Sequence, residues 1–274
     1  MRSPAFFPQA DFSFHRARKT GTARFVLSVC LALGLSACSV PGPGGAPDGI
    51  HDPYEQTNRK NHELNRALDR GLVRPASKGY VTIVPDPVAE SVSNFAANLS
   101  LPGTVVNNLL QGDLGGALQN TYRFAFNTVF GIGGLGDPAS ELGIAEVEAD
   151  FGGTLHVWGV PEGAYVELPV LGPSTERDAA GRVVDLFTNP LTHALPKPEK
   201  YYGRAASVAS KLRSRGRFSD TVDSVLYESA DSYSQSRLIY LQNRRFELGG
   251  GDDDTYIDPY DDPYGELYDD PYSE

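Results

Sequence analysis

Four histidines follow the first forty residues: His51, His62, His156 and His193. No two of them stand in an H-x-x-x-H or H-E-x-x-H register, the spacing that seats a zinc ion on one helix face. The two cysteines are Cys30 and Cys38, and no G-x-S-x-G surrounds a serine, so neither a thiol nor a serine nucleophile is set up by a motif. Carboxylates are plentiful, but a linear sequence does not say which of them face each other for acid/base work. Gly131, Gly133 and Gly136 spell G-x-G-x-x-G. A dinucleotide site needs a strand before that motif and a helix opening within it. Here a helical pattern precedes the glycines, and Asp137-Pro138 restarts the chain only after them. The segment therefore reads as a tight apolar turn. No enzymatic reaction, metal site or diffusible cofactor is read from these residues.

One cysteine does stand in a chemical context. Arg2, Arg16, Arg18, Lys19 and Arg24 precede an apolar run from Phe25 to Leu35, which is of signal-peptide length and too short to span a bilayer. Leu35-Ser36-Ala37-Cys38 follows at once and resembles a bacterial lipobox. That resemblance implies cleavage before Cys38, diacylglyceryl transfer to its thiol and acylation of the new amine. Residues 1–37 are then a lipoprotein signal. The covalent lipid on Cys38 would be a durable anchor, since each buried CH₂ contributes about 0.8 kcal/mol. The alternative is an ordinary secretory signal with an incidental cysteine. Ser39 favours the outer over the inner membrane by analogy with other lipoproteins. Residues 38–51, rich in Pro and Gly, read as a flexible tether.

The elements behind the tether read as helices broken by Pro and Gly, and the body is expected to be all-α. Asp52-Pro53-Tyr54-Glu55 opens a helix running to about Asp69, with a capping residue, a proline for the first turn and a glutamate that reaches back. Its apolar positions are sparse, while Asn58, Asn61 and Asn65 line up along it. Asp86-Pro87 opens a second helix with an apolar stripe at Val88, Val92, Phe95, Ala96 and Leu99. Leu101-Pro102 is expected to break it and start a short third. Asp113 is placed to cap a fourth, ending at Phe130 and apolar on nearly every face near its end. Phe124, Phe126, Val129 and Phe130, with Ile132 and Leu135 in the glycine turn, make a greasy helix-and-turn unit. It is too short to cross a membrane and long enough to dip into one. A short helix and extended chain are expected between Phe151 and Gly172, then helices over 176–187, 198–213 and 220–248 capped by Thr175 and Ser219. The basic turn Arg213 to Arg217 fits either a solvated loop or contact with anionic lipid or an acidic partner. No stretch alternates long enough to propose a sheet.

The formal charge of −11 is unevenly placed. Residues 249–274 hold ten carboxylates and no Lys or Arg, whereas the other residues hold 25 acids against 24 bases. Without a basic surplus, a nucleic-acid partner is not expected. The tail repeats Asp-Pro-Tyr at 258–260, 262–264 and 270–272. Such a composition cannot bury enough area to offset ordering entropy, and disorder is the expectation. Divalent-cation binding and docking to a basic partner are the other readings.

An ordered series of motifs resembles the MlaA (VacJ) family of outer-membrane lipoproteins. It comprises D-P-Y-E-Q-T-N-R at Asp52 to Arg59, V-P-D-P-V at Val84 to Val88, S-N-F-A-A-N-L at Ser93 to Leu99, and P-G-T-V-V-N-N-L-L-Q-G-D at Pro102 to Asp113. R-F-A-F-N-T-V-F-G-I-G-G-L-G-D-P-A-S at Arg123 to Ser140, F-G-G-T-L-H-V-W-G-V at Phe151 to Val160 and Y-V-E-L-P-V-L-G-P-S-T-E-R-D at Tyr165 to Asp178 complete it. The resemblance implies a ring-like arrangement of amphipathic helices over residues 52–248, embedded from the periplasmic side of the outer membrane. It implies a central channel that passes phospholipids from the outer leaflet to a soluble periplasmic carrier, with a trimeric porin holding the ring. On this reading the apolar unit is a membrane-inserted hairpin, and Asn58, Asn61 and Asn65 either wall the channel or face water. A rival from another class is a non-transporting envelope scaffold that docks other proteins through its acidic tail. The tail has no counterpart in the family pattern.

Overall fold

The computed structural model describes residues 49–249. Cys38, the signal at 1–37, most of the tether and the acidic repeats lie outside the described residues.

The first helix, α1 (Glu55–Leu68), continues through a π-helical turn (Asp69–Val73) into α2 (Arg74–Ile83). A long α3 (Asp86–Gln111) follows. It corrects the expected break at Leu101-Pro102: Pro102 lies inside one continuous helix. Proline removes one ladder bond and disfavours the preceding turn. Tertiary contacts hold that turn instead. Asn189 donates from Nδ2 to Leu99 O at 2.8 Å, and Gly103 lies flush against Asn189. Gly112, at φ 78°, closes α3 in the left-handed conformation that glycine adopts without strain.

Asp113 then caps α4 (Leu114–Phe130), accepting from Gly116 N at 2.8 Å. A turn of glycines leads to the one-turn α5 (Pro138–Glu141), capped by Asp137. Next come α6 (Phe151–Val157), capped by Asp150, and a small hairpin of β1 (Tyr165–Leu168) and β2 (Gly172–Thr175). The strands are antiparallel, with Tyr165 opposite Thr175 and Leu168 opposite Gly172. This sheet was not expected. Its inward positions are Tyr165 and Glu167, so a buried carboxylate breaks the apolar alternation that marks a strand.

Thr175 caps α7 (Glu176–Thr188) through Asp178 N. The one-turn α8 (Leu191–Ala194) leads to α9 (Tyr202–Arg217). The expected helix over 220–248 is two: α10 (Ser219–Asp223), prolonged by a π-helical turn (Ser224–Glu228), and α11 (Ser232–Glu247). Asp231 caps α11 and accepts from Ser234 N. The basic segment from Arg213 to Arg217 is the end of α9 rather than a loop. Arg215 bridges Asp69 and Asp223.

Packing runs in a closed circuit. From α1 it passes through the first π turn to α2, then α9, α3, α6, α7 and β1, and returns to α1. The two buried apolar clusters are small: Phe151, Leu155 and Val160 in one, Tyr165, Tyr233 and Leu241 in the other. A solid helical bundle would gather one contiguous core; this ring-like circuit has apolar knots at separate points. Beyond the two short strands the described body is helical, as the sequence reading expected. α4 stands outside the circuit and packs on α3 and α5.

Candidate functional site

The hairpin of α3 and α4 is inside out. Gly116, Ala117, Asn120, Arg123 and Asn127 recur every three to four residues on α4 and are buried. Three of these five are polar, and each bonds its neighbours, with Arg123 Nε alone of their side-chain atoms left buried without a partner. Asn120 donates to Asn108 Oδ1 and Val147 O, both at 2.8 Å, and accepts from Val147 N. Arg123 grips Asp137 with two bonds of 2.9 and 3.1 Å and also donates to Ile144 O. Asn127 donates to Asp137 at 2.7 Å and accepts from Ala139 N. Burial works to raise the Asp137 pKa, but hydrogen bonds from Ser140 and Asn127 and the Arg123 charge hold it below the usual carboxylate range.

The opposite face of the same hairpin is apolar and open. Leu114, Leu118, Val129, Phe130 and Leu142 are exposed, as are Leu109 and Leu110 at the end of α3. Ile132 is 80% exposed at the tip, in the left-handed region at φ 53°. A β-branched residue is seldom held there, at a cost of roughly 1–3 kcal/mol. Gly134, at φ 92°, lets the turn lie against Asn98, where a side chain would collide. Leu135 is also exposed, while Phe126 is half-buried between Tyr122 and Phe130, with ring centroids 5.4 and 4.6 Å away, and Phe124 is half-buried. Trp158 borders this face. Its ring is half exposed while Nε1 donates to Leu110 O at 3.1 Å, the amphipathic placement favoured at a membrane surface.

Burying polar groups while exposing contiguous leucine and phenylalanine is unfavourable in water, at about 25 cal/mol per Å² of apolar surface. It is the expected order where the outside is hydrocarbon, because backbone and side-chain polar groups must then be satisfied within the protein. No described helix is long and apolar enough to cross a membrane. Of the expected greasy unit, Val129, Phe130, Ile132 and Leu135 lie exposed and Phe124 and Phe126 half-buried. The expectation of an all-round apolar helix is corrected: α4 has a polar inner face. The signal was available in the spacing of Asn120, Arg123 and Asn127, a polar stripe of helical period.

Asn58, Asn61 and Asn65 stand on the side of α1 that faces β1. They form a ladder from α1 to β1. Asn58 donates to Tyr165 O at 3.0 Å and accepts from Glu167 N at 2.9 Å. Asn61 donates to Glu167 O at 2.8 Å. Asn65 donates to Leu168 O and Glu167 Oε1, both at 3.0 Å, and accepts from Val170 N. Their amides satisfy the outer edge of a two-stranded sheet, with Asn58 buried and Asn61 and Asn65 half-buried. His62 lies on the same face, buried between Ser232 Oγ at 3.0 Å and Glu167 Oε1 at 3.5 Å. Beside it a cleft of about 280 Å³ opens between Asn65, Arg66, Val170, Leu171 and Leu226.

A larger cleft of about 660 Å³ is lined by Glu146, Glu148, Asp150, His156, Arg244 and Glu247. Burial, then the nearby Arg177 and Arg244 charges, lowers the His156 pKa and favours neutral imidazole. Among the described residues, no three His, Cys, Asp or Glu converge to hold a metal ion.

The comparisons with known proteins bear on this geometry. The family model described as MlaA lipoprotein matches residues 50–247. The lipoprotein MlaA of the intermembrane phospholipid transport system of Escherichia coli is 34% identical over 232 residues, 81% of this chain and 88% of that protein. Its counterpart in Haemophilus influenzae is 30% identical, over 84% and 92% of the two chains. An uncharacterised Rickettsia bellii protein is 33% identical over 71% of this chain and 76% of its own. A solved chain from work on the structural basis for maintenance of bacterial outer membrane lipid asymmetry superposes with a TM-score of 0.59. It is 30% identical, covering 72% of this chain and 98% of its own.

Proposed function

This chain belongs to the MlaA lipoprotein family, and from that premise we propose that it carries phospholipid between the membranes of the bacterial envelope. In this reading Cys38 bears the lipid anchor, and the protein sits on the periplasmic face of the outer membrane. The apolar face of α4 and the glycine turn enters the inner leaflet. Misplaced outer-leaflet phospholipids pass through an amphipathic channel within the circuit of helices and leave to a periplasmic carrier, with a trimeric porin beside the ring.

The observation that carries the reading is the reversed burial of the α3–α4 hairpin: Asn120, Arg123 and Asn127 inside, Leu118, Val129 and Phe130 outside. It supports partial insertion without a spanning helix. The closed packing circuit with two small apolar knots, in place of one contiguous core, supports the ring that the channel reading needs. The test is lipid chemistry in cells. Deleting the protein should raise outer-leaflet phospholipid and sensitivity to detergent, and restoring the gene should reverse both. An unchanged outer-leaflet phospholipid content would contradict transport.

A further inference from the structure

Both π-helical turns meet at one basic cluster. The first (Asp69–Val73) and the second (Ser224–Glu228) are joined by Tyr227, whose hydroxyl donates to Asp69 Oδ2 at 2.7 Å. Three guanidinium groups surround the Tyr227 ring: Arg66, Arg70 and Arg74 at 5.8, 4.9 and 5.4 Å from its centroid. Arg215 bonds Asp69 and Asp223, Arg74 bonds Asp223, and Lys78 stands 3.9 Å from Asp223. The cluster thus holds five cationic side chains against two carboxylates. Among the described residues no ion pair joins Arg66 or Arg70 to an acid, and Arg66 Nε is buried without a hydrogen-bond partner. A guanidinium is always charged near neutral pH, so this surplus cannot be relieved by deprotonation. π-turns inside helices are rare and frequent at functional sites.

We propose that this surplus receives the acidic C-terminal tail of the same chain, with tail carboxylates bonding Arg66 and Arg70 and tail tyrosines stacking on them. Charge is complementary: ten carboxylates and no base follow Leu248. Reach is sufficient. The α11 helix that separates Tyr227 from the tail is 16 residues, about 24 Å long at 1.5 Å per residue. The 25 residues after Gly249 extend to at most about 80 Å. The body also shows how it holds this sequence. Its own Asp52-Pro53-Tyr54 offers Asp52 to Tyr233 and Arg237, with Asn58 donating at 2.9 Å. That is an Asp-Pro-Tyr held by a tyrosine and an arginine. The tail carries three more copies, and Arg66 and Arg70 beside the Tyr227 ring are a second arginine–tyrosine set, its hydroxyl already given to Asp69.

The test uses the full chain in phosphatidylcholine nanodiscs. Arg70→Lys places an amine in the cluster that a carbodiimide can join to a carboxylate, and Arg204→Lys, an exposed arginine on α9, is the control. Mass spectrometry should find residue 70 crosslinked to peptides within 258–274. The yield should be at least about fivefold above the control and fall about fivefold in 1 M salt, where the Debye length is about 3 Å. No crosslink at 70, or one equal to the control, overturns the proposal. A second measurement excludes a lipid occupant. Asp258→Asn, Asp261→Asn, Asp262→Asn, Asp269→Asn and Asp270→Asn together should raise binding to phosphatidylglycerol vesicles several-fold. Arg66→Ala with Arg70→Ala should remove that gain. Vesicle binding that depends on Arg66 and Arg70 but not on the tail carboxylates would assign the cluster to lipid and overturn the tail.

Discussion

Around α4 the protein buries Asn120, Arg123 and Asn127 and leaves Leu118, Val129 and Phe130 outside. Around α11 the protein instead buries apolar rings and chains, Tyr233 and Leu241 against Tyr165, with the charges beside them paired, as Arg244 is with the buried Asp178. Both regions use asparagine side chains to tie one element to another. In the first they hold a hairpin whose apolar face has no partner in the chain. In the second the asparagines of α1 hold that helix against β1, whose Tyr165 packs on α11. The α11 region has the order of a water-soluble domain and the α4 region that of a membrane-facing one. On the proposed insertion, one chain of about 200 described residues addresses two solvents. An exposed apolar side chain means different things in each. Phe246 is an isolated surface residue, of a kind every soluble protein tolerates, while Ile132 belongs to a contiguous patch.

The largest expected effect comes from removing the charge that the inner face of α4 depends on. Arg123→Ala strips Asp137 of its ion pair and leaves Ile144 O without its donor. It should cost about 3 kcal/mol or more, read from chemical denaturation. A neutral result would mean the polar face is incidental.

A matched pair of substitutions separates the two regions next. Leu241→Ala should lower stability by about 2–5 kcal/mol and leave liposome partitioning unchanged. Ile132→Asp should leave stability in detergent nearly unchanged and weaken partitioning, by up to about 3 kcal/mol if the tip reaches the hydrocarbon. If both variants behaved alike, the contrast between the regions would fail. Asn58→Ala orphans Tyr165 O and Glu167 N on β1, at a cost of about 1–3 kcal/mol, with β1 amide exchange as the local readout.

The smallest effect is a pH dependence read at Asp178 on the α11 side. Burial works to raise Asp178, but hydrogen bonds from Arg244 and Tyr240 and the Arg244 charge hold it below its ordinary value. A depressed folded pKa contributes stability that is present above the unfolded value of about 3.9 and lost as pH falls through the folded one. Melting temperature should therefore fall below about pH 4, and less steeply in Asp178→Asn than in the parent.

Much of the fold was legible in the sequence because its helix starts carry their own chemistry. Asp113 and Thr175 cap where their residue types and the following pattern say they should, whereas the helices expected to be capped by Asp52 and Ser219 start without a side-chain cap. Three features were not legible. Pro102 reads as a stop, yet packing on Asn189 keeps α3 whole, a contact made 87 residues further on. The strand pair hid because its buried face carries Glu167, whose partners Tyr165 and Asn65 come from the fold. The β1 partners of the α1 asparagines were hidden because a sequence shows that a side chain can form hydrogen bonds, not where its partners are. At the hairpin the apolar residues were found from composition alone. Their setting was not, because a membrane-facing helix is recognised by its polar stripe pointing inward, and direction is a property of the structure.

The central claim is that equal exposure in α4 and α11 means different solvents, and depth-dependent fluorescence quenching tests it directly. With Trp158→Phe as background, Phe130→Trp and Phe246→Trp place single indoles at sites 67% and 73% exposed. In liposomes carrying brominated acyl chains, the indole at 130 should be strongly quenched and shifted to the blue, and the one at 246 should stay water-like. Equal quenching at the two sites, or none at 130, would contradict the account.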